Sequence, residues 1–289
     1  LLTSVLDNSD KVSGYIGECR ECGIALLPPD INRSADRFTV EEGGIRFGLV
    51  AIKNIGRGFI QAVMRERETG GPFTSLYDFC SRMNGSEMNK RAVENLIRSG
   101  AFDSMGARRS QLIKVYESVM DSVAAQQREN VEGQMDFFSM AADNDEKSNS
   151  VKEIPLPDIP EYTPEELMTM EKATTGLYLS GHPMDHYRDA VRKLHAPTIV
   201  SIIEDFSREN GPERFTDGQR ITIAGVITSS KTKTTKNNSL MAYVMVEDDT
   251  ASMELLCFSR VLETCGAYMK ENQAVVVKLS LIHISEPTR

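Results

Sequence analysis

Apolar residues recur every three to four positions through most of the first two thirds of the chain, and every second position near its end. The first period predicts α-helices over 3–27, 55–68, 75–83, 87–99 and 107–127. Pro28-Pro29 stops the first helix, and Gly70-Gly71-Pro72 and Gly100 punctuate the later ones. Residues 36–47 alternate weakly around Gly43-Gly44 and predict a short hairpin. Thr163-Pro164-Glu165-Glu166 is a capping box with proline at the first helical position, opening a helix to about Thr174. A turn over 176–183 and a helix over 185–194 follow. The period of two predicts strands over 220–228, 242–247, 252–258 and 274–278, with a helix over 260–269 between the last two.

Three strands, a helix and a further strand is the order of an OB barrel. The expected class is therefore α+β and multidomain: a helical domain, a linker and an OB-type barrel short of a strand. A length of 289 residues fits about two domains. No apolar run approaches the ~18 residues of a membrane span, so no membrane partner is expected. Leu1-Leu2-Thr3-Ser4 carries neither a basic region nor a cleavage site, so no signal peptide is expected. Five cysteines are too few for a disulfide scaffold and fit a reducing cytoplasm.

The net charge of −9 argues against a nucleic-acid partner until its distribution is read. Residues 51–115 carry 11 Lys/Arg against 6 Asp/Glu, and residues 129–171 carry 2 against 12. Residues 220–241 hold Arg220, Lys231, Lys233 and Lys236 with no acid. Two basic islands across an acidic bridge suggest two polyanion-binding modules on a linker.

In the first island, apolar residues run into Ile55-Gly56-Arg57-Gly58, and a helix follows. This is a helix–hairpin–helix pattern. The glycines allow a tight turn and a close approach to phosphate, which the following helix N-terminus receives. Lys53 and Arg57 add charge. Such a contact grips duplex DNA without reading its sequence. In a second, less regular unit over 88–103, Val93, Leu96, Ile97 and Phe102 fit one apolar face, while Lys90, Arg91 and Arg98 are expected to be exposed.

Residues 129–160 are too polar to order themselves. They enclose Gln134-Met135-Asp136-Phe137-Phe138, the form of a peptide that inserts paired aromatics into a partner's pocket. In the second island, Lys231, Lys233 and Lys236 sit in an expected loop over 229–239, a usual single-strand contact of OB folds. Tyr243 and Phe258 are the aromatic candidates there, and a core role is the expectation for both. Cys19-x-x-Cys22 lacks a second ligand pair, His182 and His186 read as a turn, and Glu247-Asp248-Asp249 reads as a solvated turn. No metal site is assigned.

Taken in order, Ile55–Gly58, the 88–103 unit, Gln134–Phe138, Leu177-Tyr178-Leu179-Ser180-Gly181-His182-Pro183 and the strands resemble the C-terminal part of the C-family replicative polymerases, the bacterial DNA polymerase III alpha subunits. The resemblance covers residues 1–278. It implies that 1–45 are the end of a fingers region and 46–128 a domain holding duplex DNA. By the same token 129–160 carry a sliding-clamp motif with Gln134, Met135, Phe137 and Phe138, 161–219 are a connector, and 220–278 form an OB domain near the single-stranded template. Primer-template DNA, the clamp (beta subunit) and other holoenzyme subunits are the implied partners, and the replisome in the cytoplasm the implied place.

That family's palm needs clustered carboxylates and two Mg²⁺ ions. No counterpart stands in this sequence, so no catalytic residue is assigned. Mg²⁺ is implied for the whole polymerase only, and the chain alone is not expected to polymerise. Residues 279–289 depart from the family, read like translated sequencing adapter, and are expected to lie outside the fold. The residues themselves also fit a non-enzymatic DNA-binding adaptor with the same modules.

Overall fold

The computed structural model describes residues 15, 19, 22–85, 88–137, 154–208, 211–235 and 237–282, with backbone alone over 129–137. These residues divide into two units, the first Gly23–Ser180 and the second residues 15, 19 and 22 with the part from Gly181 onward.

The first unit opens with a three-stranded sheet. Strand β1 (Ala25–Leu27) runs parallel to β3 (Gly44–Arg46), which pairs antiparallel with β2 (Thr39–Glu41). A helix through residue 27 was expected. Pro28 disfavours the helical region for the residue before it, and the chain is extended there instead. A single 3-10 turn, Leu49–Ala51, then leads to helices α1 (Arg57–Gly70), α2 (Leu76–Met83), α3 (Lys90–Arg98), α4 (Arg109–Phe137) and α5 (Pro164–Thr175). Phe79 of α2 is fully buried. The rings of Phe73, Phe102 and Phe59 stand edge-on to it at 5.0, 5.1 and 6.2 Å. Such pairs add to the burial of their area.

Helix α4 runs past residue 127, where a polar linker was expected, as far as Phe137. Gln, Arg, Glu and Met are good helix formers, so a polar stretch can propagate an established helix without burying anything. The chain returns along α4: Gln111 Nε2 donates to Pro157 O at 2.8 Å, and Arg108 Nη1 to Ile159 O at 2.7 Å. Glu161 then closes the start of α4, accepting from the amides of Arg109 at 2.7 Å and Ser110 at 2.9 Å. Beneath it lies a buried ion pair. Arg109 reaches Asp103 at 2.6 Å and Glu171 of α5 at 3.1 Å. The second oxygen of Glu171 accepts from the amides of Leu179 and Ser180 and from the Ser180 hydroxyl, at 2.8–3.0 Å.

The second unit is built on a four-stranded antiparallel sheet in the order β6-β5-β4-β7. The strands are β4 (Arg220–Thr234), β5 (Leu240–Glu247), β6 (Ser252–Phe258) and β7 (Ala274–Ser280). A bulge between Ile227 and Ser229 bends β4, which pairs with β7 before the bend and mainly with β5 after it. This half-barrel is consistent with an incomplete OB-type fold.

One face packs Ile223, Ile227, Val244, Val246 and Leu255 on helix α7 (Ile199–Phe206). Helix α6 (Arg188–Leu194), preceded by the 3-10 turn Pro183–Tyr187, contributes Val191 beside Met184 over Ala224 and Val226. Helix α8 (Ser259–Cys265) joins β6 to β7. The first residues of the tail expected outside the fold, 279–282, enter it. Leu279 pairs with Ile221, and Leu281 is buried in the core, because apolar alternation continues through both.

The Glu161 carboxyl supplies the first prediction. Burial pushes its pKa up, but the amides of Ser110, Tyr162 and Arg109 outweigh that and hold it below the ordinary glutamate value of 4.5. A carboxyl lowered on folding contributes stability that is complete above its unfolded pKa and lost as pH falls through its folded pKa. Glu161→Gln is expected to cost about 1 kcal/mol at neutral pH. Denaturation series on both proteins should show that difference narrowing as pH drops below 4.5.

Candidate nucleic-acid interface

Every α-helix begins with amides that lack an intrahelical partner. Within the first unit, α2 is capped by Ser75, α3 by Asn89, α4 by Glu161 and α5 by Thr163 with Glu166. Helix α1 has no side-chain cap; its N-cap is Gly56. Gly56, Arg57 and Gly58 are all exposed, and Ile55 is half-buried beneath them. The turn itself belongs to Asn54, at φ 62°, whereas Gly56 has an ordinary extended conformation, φ −73° and ψ 145°. The glycines therefore serve here by leaving the helix start bare, not by supplying left-handed backbone. A bare, positively polarised helix start beside an arginine is suited to a phosphate.

The expected cations divide. Among the described residues, the side chains of Arg57 and Arg91 are exposed and meet no acid or acceptor. Lys53 is exposed, but its ammonium donates to Ala173 O at the end of α5, 3.0 Å away. Lys90 pairs with Asp121 at 3.0 Å and Glu117 at 3.6 Å, and the bond to Asp121 leads the effects that raise its pKa. Arg98, read as an exposed cation, is half-buried and paired with Glu94 at 2.8 Å.

One residue that holds this loop in place was not singled out by the sequence. Asn95 is buried on α3 and donates from Nδ2 to Lys53 O at 2.6 Å. Arg91 lies one turn earlier, on the same helical face. The available signal was a lone amide among Val93, Leu96 and Ile97.

In the second unit, Lys231 and Lys233 stand on β4 and not in a loop. Thr232 and Thr234 favour strand, and the connection shrinks to 235–239, turned by Asn238 at φ 60°. Lys236 lies outside the described residues. Lys231 pairs with Tyr243 across the strands and Lys233 with Met241; the Lys233 ammonium sits 5.0 Å from the Tyr243 ring centre. On β6 the cross-strand neighbours are Leu256 and Phe258. Ala242, Val244 and Val246 point to the core, so Tyr243 and Phe258 occupy the other face. Phe258 is 57% exposed. The expectation of a core role is corrected for both by their register.

Gln134, Met135 and Phe137 fall in the last turns of α4, where the backbone alone is described, and Phe138 lies outside the described residues. Among the described residues, no group of three His, Cys, Asp or Glu is placed to hold a metal, and no helix is long and apolar enough to cross a membrane. Asp248, expected in a solvated turn, is buried. It accepts from the Ile199 amide at 2.7 Å and the Ala251 amide at 2.9 Å, closing the start of α7. His182 begins the Pro183–Tyr187 turn, its Nδ1 accepting from the Met184 amide.

Residues 23–112 match the helix-hairpin-helix motif family. This match and the α1 hairpin together define a helix-hairpin-helix domain in the first unit. Along 96% of its length, the chain is 31% identical to DNA polymerase III subunit alpha of Vibrio cholerae and 35% identical to that of Saccharopolyspora erythraea. It is 36% identical to the subunit of Deinococcus radiodurans over 91% of its length. The chain is thus related to the DNA polymerase III alpha subunits, and the match is consistent with a C-terminal portion of them. It spans 19–23% of the length of these relatives.

Proposed function

We propose that this chain is the DNA-holding portion of a bacterial replicative polymerase. The exposed, uncapped start of α1 at Gly56–Gly58 takes a phosphate of the duplex leaving the active site, with Arg57 and Arg91 beside it. The observation that carries this reading is that α1 alone, among the described helices of its unit, lacks a side-chain acceptor. The β4–β5–β6 face contacts single-stranded template, with Lys231, Lys233 and Lys236 on phosphates and Tyr243 and Phe258 beneath bases. Gln134–Phe138 binds the sliding clamp and ties the polymerase to it. Template-directed addition of dNTPs, with two Mg²⁺ ions, belongs to another part of the whole protein, at the replisome in the cytoplasm. This chain by itself does not polymerise.

Gly56→Val with Gly58→Val tests the duplex contact. Neither position has a backbone conformation that valine avoids, so the variant should fold. Its duplex affinity should fall regardless of sequence, with the slope of log K against log salt nearly unchanged, because the amides carry no net charge. Unchanged affinity in the folded variant contradicts the assignment. Neutralising Lys231, Lys233 and Lys236 should lower the salt slope for a single-stranded oligonucleotide, and an unmoved slope removes that face from the interface. A Gln134→Ala/Phe137→Ala/Phe138→Ala variant should lose binding to a bacterial sliding clamp; equal binding by both proteins excludes the motif.

A further inference from the structure

The α1 hairpin is braced from outside at one residue. Lys53 is bonded three times: its carbonyl accepts from Asn95 Nδ2 at 2.6 Å, its amide donates to Thr174 O at 2.8 Å, and its ammonium donates to Ala173 O at 3.0 Å. The next residue, Asn54, takes the left-handed turn that leads to Gly56. Wherever Lys53 is held, the start of α1 is aimed.

Two of these anchors come from the end of α5, whose carbonyls form the negative pole of that helix and suit an ammonium. The third comes from a side chain that is 9% exposed on the core-facing side of α3, between Val93 and Leu96. An amide buried there costs stability unless it is bonded, and an apolar side chain would pack at that place without needing a partner. Its bond fixes the loop and adds little that packing could not supply.

We infer that Asn95 is a positioning residue for the duplex contact, acting through Lys53 to present the α1 amides, with the end of α5 as the second half of the brace. This rests on the reading of the hairpin as the duplex contact. It gives Asn95 no contact with DNA. It also makes residues 164–175 part of the DNA-holding element, although the helix-hairpin-helix match ends at residue 112.

The test is a double-mutant cycle on the full chain, with Asn95→Leu, Gly58→Val and the pair. Affinity for a short duplex is measured by fluorescence anisotropy at several salt concentrations, and folding is checked by circular dichroism. Asn95→Leu should weaken binding about tenfold with the salt slope nearly unchanged, because the amides it aims carry no net charge, and should shrink the duplex-induced NMR shifts of the Arg57, Gly58 and Phe59 amides. Gly58→Val should do the same, and the pair should be no weaker than the worse single variant, because both act on the same phosphate. A purely structural role for Asn95 would leave those amide shifts unchanged or make the two effects multiply, and either result overturns the inference. If Gly58→Val changes nothing while the chain still binds duplex, the hairpin reading fails first and the inference falls with it. Should Asn95→Leu not fold, Asn95→Ser takes its place in the same cycle.

Discussion

The backbone amides that open a helix need acceptors, and the first unit is organised by how it supplies them. Ser75, Asn89 and Thr163 do so locally, from the residue before the helix. For α4 the acceptor comes from Glu161, more than fifty residues downstream. That one carboxylate draws the returning chain onto α4 and leads into α5, where Glu171 joins the Arg109 ion pair. The end of α5 then meets Lys53. A capping requirement at one helix is thus linked, through Glu161, the buried Glu171 and a carbonyl pair, to the position of the hairpin at α1. The helix left without an acceptor is the one whose start is bare and exposed.

This arrangement also sorts the charges. Composition places eleven basic residues in 51–115, but most of them are engaged in holding the fold. Arg109 is buried between Asp103 and Glu171, Arg82 binds Glu66 and Asp78, and Lys90 binds Asp121. Among the described residues, Arg57 at the α1 start and Arg91 on α3 are exposed and meet no acid. A buried pair such as Arg109–Glu171 contributes through what its loss would leave uncompensated, more than through its own attraction. It is a structural device in a basic region, not a ligand for DNA.

Local rules made much of this legible. The helices α1 to α5 of the first unit, the capping box at Thr163 and the succession of strands and helix along the second unit all follow from periodicity and caps within one stretch of sequence. The elements that escaped depend on distant partners. Helix α7, rich in Ile and Val, begins where Asp248 and Thr250 meet the amides of Ile199 and Val200. Lys231 and Lys233 read as loop because a polar strand carries no apolar alternation, and the extent of β4 is set by its partner β5. The hairpin was visible in Ile55–Gly58, but its brace was not, since Asn95 and Thr174 are brought to Lys53 only by folding. Tyr243 could not be assigned to a face without the register of its strand.

The central claim is that the bare start of α1 is the duplex-phosphate site of the first unit, while the other helix starts are already filled. Backbone amide NMR of the full chain, titrated with a short blunt duplex, tests this most directly. The account predicts that the amides of Arg57, Gly58 and Phe59 shift most, with Arg109 and Ser110 little changed because Glu161 already occupies them. Shifts that spare residues 57–59, or that fall equally on Arg109 and Ser110, would contradict it.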